Sequence, residues 1–379
     1  MQAQRGFAMN ANPPPTASPI ASFPRLALDR KRLFLLGSLA LFTFALLLIW
    51  GGGREAVTAL AHVDWRLILV AIVVHYSGFA VRGLRWQQLL RAVGHRLSWS
   101  FATTLLLAGW FVSALLPARA GDVMRVGVLH LPAQDRPTVP VADALGSIVL
   151  ERALDLFAIL LLGAGFGFVV LRAQLPTWVL AAYAVGVAGL VIFGAALLVT
   201  PALLGWLRRW SAHRFWQWSL DFATQLVESL RALGRQPLTA FLLLAESVYI
   251  WLCDALLLWL CVGSLGTLLP FGRAAFVALT VDVFAVVPLT PGGIGQIETV
   301  NAALLTLLKL PGFNVAAAVL VNRAISYWSF LLFTGVVTFA AGLGQWLIAR
   351  PAALSPTTGE TPTETLVETP VEAAATIGK

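Results

Sequence analysis

Apolar residues in this chain do not alternate with polar ones; they come in long unbroken runs. Leu33–Trp50 is the first, and comparable runs follow at roughly 67–81, 99–117, 141–171, 177–200, 237–263, 271–290, 294–309 and 314–345. An apolar helix of about 20 residues crosses ~30 Å of hydrocarbon. A transmembrane barrel would instead show alternating segments of about 10 residues. The pattern therefore predicts an all-α, polytopic helical bundle.

Composition supports the same class. Hydrophobic residues make up 59% of the 379, and charged residues only 12%, against about a quarter in soluble domains. Mean hydropathy is +0.82. The flanks differ from the middle. Residues 1–32 are Pro- and Ala-rich and end in Asp29-Arg30-Lys31-Arg32, which predicts a disordered basic tail leading into Leu33–Trp50 as an uncleaved anchor. Residues 351–379 repeat Thr, Pro and Glu and predict a second disordered tail. A membrane domain over 33–345 lies between them. Cys253 and Cys261 sit eight apart in one run, about 12 Å along a helix, too far for a disulfide.

Net charge is +8, and the acidic tail leaves the remainder at +11. The basic residues flank the apolar runs, which implies anionic lipid headgroups at the cytoplasmic face and control of topology. Arg25 to Arg32 predict a cytoplasmic N-terminus. Arg82, Arg85, Arg91 and Arg96 follow the second run, and Arg208, Arg209, Arg214, Arg231 and Arg235 lie in 203–236. Both segments are expected inside. Trp206, Trp210, Trp216 and Trp218 interleave with the arginines of the latter, as in an amphipathic interfacial segment; nucleic-acid binding is not expected.

Counting every run as a crossing puts 203–236 on the wrong side. The segment 99–131 repairs the count if it dips in and returns. Its apolar arm ends at Pro117, and a charged stretch through Arg125 precedes a shorter arm. A second such hairpin has arms 271–290 and 294–309 around Pro288-Leu-Thr-Pro-Gly-Gly-Ile-Gly295, a stretch that cannot stay helical. The expectation is six full spans plus two opposed re-entrant hairpins, with both termini cytoplasmic in the plasma (inner) membrane. Ordinary crossings kinked by Pro and Gly are the alternative.

Charge inside the bilayer is costly unless paired or facing a polar cavity. Arg119, Asp122 and Arg125 would share a face if helical. Glu151, Arg152 and Asp155 fall in one run, with Glu151 and Asp155 at i, i+4. Glu246 and Asp254, Asp282, Glu298, and Arg323 with Tyr327 complete the set. Gly292, Gly293 and Gly295 precede a helical arm whose N-terminus could face a phosphate, or they form a tight turn. The charges form either a closed ion network or a polar path for a phosphate-bearing or zwitterionic lipid head. The histidines show no metal-ligand spacing.

Several segments together resemble a known family. Arg82-Gly-Leu-Arg-Trp-Gln-Gln-Leu-Leu90, Pro117-Ala-Arg-Ala-Gly-Asp122 with Arg125, Glu151-Arg-Ala-Leu-Asp155, Pro291-Gly-Gly-Ile-Gly-Gln-Ile-Glu298, and Arg323 with Tyr327 occur in order over about 30–345. This set resembles the lysylphosphatidylglycerol synthase transmembrane-region family, also described as flippase-like or family 0104 membrane proteins. Asp122 departs from the glutamate common there, keeping the charge and shortening the reach. The resemblance implies flipping of a polar-headed lipid or lipid-linked intermediate between leaflets; the sequence itself shows no cofactor motif. Aminoacyl transfer is not carried over, because after 345 only the tail remains and a soluble synthase domain has no room. A membrane enzyme acting on a lipid phosphate or glycan is a competing class. The Asp-Gly before Ala118-Arg119 that a CDP-alcohol transferase needs is missing, as is a lipid-phosphatase histidine set. An accessory envelope subunit is a third.

Overall fold

The computed structural model describes residues 54–116, 119–132, 138–171, 176–210, 214–287 and 289–343. The tails 1–32 and 351–379 and the anchor Leu33–Trp50 lie outside these. Among the described residues every regular element is helical. In order they are α1 (Arg54–Ala61), α2 (Trp65–Ala92), α3 (Trp99–Leu115), α4 (Ala120–His130), α5 (Val141–Leu171), α6 (Thr177–Trp210), α7 (Arg214–Ala232), α8 (Pro237–Ser264), α9 (Phe271–Ala285), α10 (Gln296–Leu307) and α11 (Val315–Ala340). Trp65–Ala92, Thr177–Leu207, Pro237–Ser264 and Val315–Ala340 are long and apolar enough to cross a membrane.

Local chemistry sets several boundaries. Asp64 caps α2 by accepting from Arg66 N at 2.9 Å, Ser98 caps α3 through Phe101 N at 3.3 Å, and Asn314 caps α11 through Ala317 N at 2.9 Å. These side chains satisfy amides that a helix start leaves free. Inside α11, Ala324–Ser329 widens to a π-helix, which no feature of the sequence announces.

The scaffold is an antiparallel pair, α2 against α8. Asp64 N donates to Ser264 O at 2.9 Å at one end, and Gln88 Nε2 donates to Glu246 Oε1 at 2.6 Å near the other. The segments beyond α2, before α5 and after α7 gather at this second end. His95 Nε2 lies 2.8 Å from Asp143 Oδ2, Ser229 Oγ donates to Asp143 Oδ1 at 2.5 Å, and Gln236 Nε2 donates to Ala92 O at 3.3 Å. The sequence placed Arg82 and Arg85 in a loop after 67–81. The helix instead continues to Ala92 and both side chains are buried. Their charge is not at the surface because it is matched inside.

Two helical hairpins pack onto this scaffold. In the first, α3 and α4 touch backbone to backbone. A Cβ built on Gly121 would stand 1.6 Å from Gly109 O, and one on Gly109 would meet Arg125 Cγ at 2.8 Å. Only glycine permits that approach. Trp86, Leu105, Leu106, Leu129 and Ile148 form its core. In the second, α9 and α10 flank the turn Pro291–Gly293, and Phe276, Leu279, Leu304 and Leu305 pack with Leu258 and Val319. The arms of 17, 11, 15 and 12 residues rise about 26, 16, 22 and 18 Å, each short of ~30 Å of hydrocarbon.

Helix α7 is amphipathic, whereas Trp206 and Trp210 of the expected interfacial segment fall at the end of α6 instead. Leu220, Val227 and Leu230 are buried while Asp221, Glu228 and Arg231 are exposed. The side chains of Trp210, Trp216 and Trp218 lie outside the described residues. Both cysteines are free and buried.

Candidate functional site

The tips of the two hairpins meet over one charged cavity. Arg119 ends the first tip with φ 52°, a left-handed conformation uncommon outside glycine. It is therefore not part of α4, and the single face expected for Arg119, Asp122 and Arg125 does not form. Its guanidinium instead crosses to the second hairpin and donates to Val286 O, with Ala285 O at 3.5 Å. These carbonyls close α9, where a cation offsets the negative end of the helix dipole.

The second tip is held by Glu298. Its Oε2 accepts from Gly295 N at 2.8 Å, and its Oε1 accepts from Arg323 Nε at 2.7 Å. Arg323 also donates to Gly292 O at 3.3 Å and lies 4.5 Å over the Tyr327 ring. Of the two readings of the glycine cluster, amides open to a phosphate or a tight turn, the contacts fit the turn: the start of α10 is met from within by this carboxylate. Gly292 has φ 62°, and a Cβ there would stand 2.4 Å from Tyr327 Oη. Glycine is required twice over, for the backbone angle and for the ring above it.

The cavity between the tips has a volume of about 360 Å³. Of the expected residues, Arg119, Asp122, Arg152, Asp155, Gly292, Gly293, Arg323 and Tyr327 line it, whereas Arg125, Glu151, Gly295 and Glu298 stand behind the wall. Arg125 Nη2 pairs with Glu151 Oε2 at 2.7 Å and its Nη1 with Asp122 at 3.1 Å, with the guanidinium 3.9 Å over Trp86. Glu151 is fully buried and also lies 3.8 Å from Arg152 and 4.0 Å from Arg85.

Sequence reasoning missed part of this wall. Arg85 pairs with Asp155 at 2.6 Å and donates to Ser247 Oγ at 2.7 Å, and Trp251 Nε1 donates to the same Asp155 oxygen at 3.1 Å. Arg82 pairs with Asp254 at 3.0 Å and is flanked by the rings of Phe79, Trp110 and Trp251. His75 Nδ1 stands 3.4 Å from Asp254. The seven-residue period from His75 through Arg82 on one face of α2 was the available signal, hidden by reading the arginines as loop charge.

Pairing sorts the lining charges. Arg82, Arg152 and Arg323 each have a carboxylate within ion-pair distance, as do Asp122, Asp155 and Asp254 an arginine. Arg119 and Asp282 have no oppositely charged side chain so placed among the described residues. Asp282 Oδ2, Asn301 Oδ1 and Asn322 Oδ1 are buried without a hydrogen-bond partner among those residues, and all three residues line the cavity. Unpaired buried acceptors are rare, and each calls for a donor. Among the described residues no group of three or more His, Cys, Asp or Glu is placed to hold a metal ion.

The family model for the lysylphosphatidylglycerol synthase TM region matches residues 35–334. The chain belongs to this family. It is accordingly a helical membrane protein, as its long apolar helices require. A UPF0104 membrane protein of Methanothermobacter thermautotrophicus is 26% identical over 325 residues, covering 79% of this chain and 91% of that protein. A second from the same organism is 27% identical over 302 residues, covering 75% and 88%. The glycosyltransferase AglD of Haloferax volcanii is 24% identical over 347 residues, covering 82% of this chain but 53% of its own length. This chain therefore spans about half of that relative. No solved structure matches. The family match covers both hairpins and every residue of the cavity wall.

Proposed function

We propose that this family member moves a polar-headed lipid, or a lipid-linked intermediate, between the leaflets of the plasma membrane. The observation that carries the reading is the charged cavity between two hairpin tips, inside a bundle that contains four helices long and apolar enough to cross a membrane. Arg119, with no acid within ion-pair distance among the described residues, suits a phosphate by charge-assisted hydrogen bonds. Asp282, Asn301 and Asn322 supply unpaired acceptors, suited to the hydroxyls or amine of a head. Arg125, Glu151, Gly295 and Glu298 hold the wall in shape.

The topology that goes with this function is six full crossings and two opposed re-entrant hairpins, with both termini cytoplasmic. Two features support it. The hairpin arms fall short of a hydrocarbon thickness. The basic ends of α2 and α7 share one end of the bundle through Gln236 and Ala92, as a returning first hairpin requires. Opposed broken helices around a midplane site are a recurring solution in transporters. The chain acts by translocation, not catalysis.

The relative named glycosyltransferase AglD favours a second reading, in which the membrane region serves a glycan-linked lipid and the cavity receives a sugar head. The test of both is a flip assay in proteoliposomes over a panel of phospholipid and polyprenyl-phosphate heads. One class of head is expected to move, and Arg119→Ala and Glu298→Ala are expected to slow it by about tenfold or more. Full activity in both variants would remove the site; turnover of a lipid-linked substrate by purified protein would replace translocation with catalysis.

A further inference from the structure

A second cavity, of about 430 Å³, adjoins the first. Arg119, Arg152, Asp155, Trp251, Asp282 and Ala285 line both. Past this shared wall the lining turns apolar: Leu156 and Ile159 from α5, and Gly189, Leu190 and Phe193 from α6. The two cavities thus share a charged wall, and beyond it the second is lined by hydrocarbon side chains.

Packing between α5 and α6 explains where the apolar part lies. The two helices are antiparallel and closest at one end. A Cβ on Gly163 would stand 2.0 Å from Tyr183 Oη, and one on Gly186 would stand 2.9 Å from Leu160 Cδ2. One turn further, contact stops, and a Cβ on Gly189 would meet nothing within 4 Å. Beyond that gap Phe193 and Leu197 pack against the apolar cluster that contains Leu150. The gap is a slot bounded above and below along the seam.

Helix α6 is also the least embedded of the long apolar helices. Only 6% of its apolar window is buried, against 39–50% in the other three, so most of its surface is left free of the bundle. A slot on its inner edge is one helix away from lipid.

We infer that the seam between α5 and α6 holds the hydrocarbon chain of the lipid whose head occupies the charged cavity, and that the lipid enters and leaves the bilayer there. The inference rests on the translocation reading. Its physical basis is the amphiphile itself. A head drawn into the charged cavity would pull its chain out of hydrocarbon, losing free energy with each methylene exposed. An apolar slot beside the charged cavity reduces that cost.

The test fills the slot and leaves the head site alone. Gly189→Leu and Gly189→Trp form a graded series, and Gly194→Trp is the control, since Gly194 lies on the same helix, faces open space and lines neither cavity. Wild type and variants go into vesicles of phosphatidylethanolamine and phosphatidylglycerol carrying the fluorescent lipid that wild type moves fastest. Binding of the deacylated glycerophosphodiester of that lipid is measured in parallel. Transport is expected to fall stepwise from Gly189→Leu to Gly189→Trp, by about tenfold or more at the latter, with Gly194→Trp and all deacylated-ligand binding within about twofold of wild type. Wild-type transport in Gly189→Trp overturns the seam while leaving translocation standing. Equal loss in Gly194→Trp, or loss of deacylated-ligand binding in Gly189→Trp, also overturns it. No transport by wild type of any lipid overturns the reading beneath it.

Discussion

Glu151 and Arg119 carry the same formal magnitude of charge in the same small region of the bundle, yet their variants should behave in opposite ways. Glu151 sits among Arg125, Arg152 and Arg85 with no exposed surface. Glu151→Ala leaves those cations short of a partner out of water, a loss of about 3–5 kcal/mol. Thermal unfolding in detergent should show a large drop in Tm, with transport falling only as folded protein is lost. Arg119 contacts only carbonyls at the end of α9 among the described residues, a capping interaction of about 0.3–1 kcal/mol. Arg119→Ala should leave Tm nearly unchanged while transport collapses. Equal Tm losses in both variants would make Arg119 one more structural charge. The sequence marked Arg119, Arg125, Glu151 and Arg152 as charges within the membrane domain, but it could not rank them, and it read Arg85 as loop charge. Partnership depends on Arg85, which pairs with Asp155 across 70 residues of chain.

At the scale of elements, each hairpin depends on a glycine for a reason the other does not share. Gly121 allows α4 to rest on the backbone of α3 at Gly109. Gly121→Ala must push the arms apart, at a cost of about 1–3 kcal/mol, read as a lower unfolding midpoint. Gly205→Ala is the matched control. That position lies in α6 with nothing near its Cβ, so the helix should gain about 0.5–1 kcal/mol. Gly292→Ala faces both a positive φ and the Tyr327 ring. Displacing Tyr327 also disturbs Arg323, so transport should fall more steeply than stability. The Pro/Gly cluster predicted a break between α9 and α10, and the break is there. The π-turn at Ala324–Ser329, which carries Ser326 and Tyr327 on the cavity wall, had no signal. Its sequence Ala-Ile-Ser-Tyr-Trp-Ser is compatible with an ordinary α-helix, and π-turns of this kind recur at functional sites.

For the whole molecule, topology is the quantity with the most direct measurement. Cysteines introduced at Arg96 and Arg235, both exposed at the same end of the bundle, should react with an impermeant maleimide only from the cytoplasmic side. A cysteine at Leu268, which is 97% exposed at the opposite end, should react only from outside. Labelling of positions 96 and 235 from different sides would mean that the first hairpin crosses the membrane an odd number of times, and the opposed-hairpin arrangement would fall with it.

Taken alone, the sequence determined that this chain is a helical membrane protein. Run length, low charge density and Pro/Gly breaks act through local energetics, and those are legible residue by residue. It also set out the charges that need an explanation, because an ionisable group in hydrocarbon is costly wherever it sits. Only the tertiary structure decided which charges face a shared cavity and which neutralise one another behind its wall. The reason is that a charge in a low-dielectric interior is defined by its neighbours. Those neighbours, Arg85 for Asp155 and the end of α9 for Arg119, come from elsewhere in the chain. Proline and glycine positions outline the two hairpins, and these become a site only where Arg119 reaches across from one tip to the other.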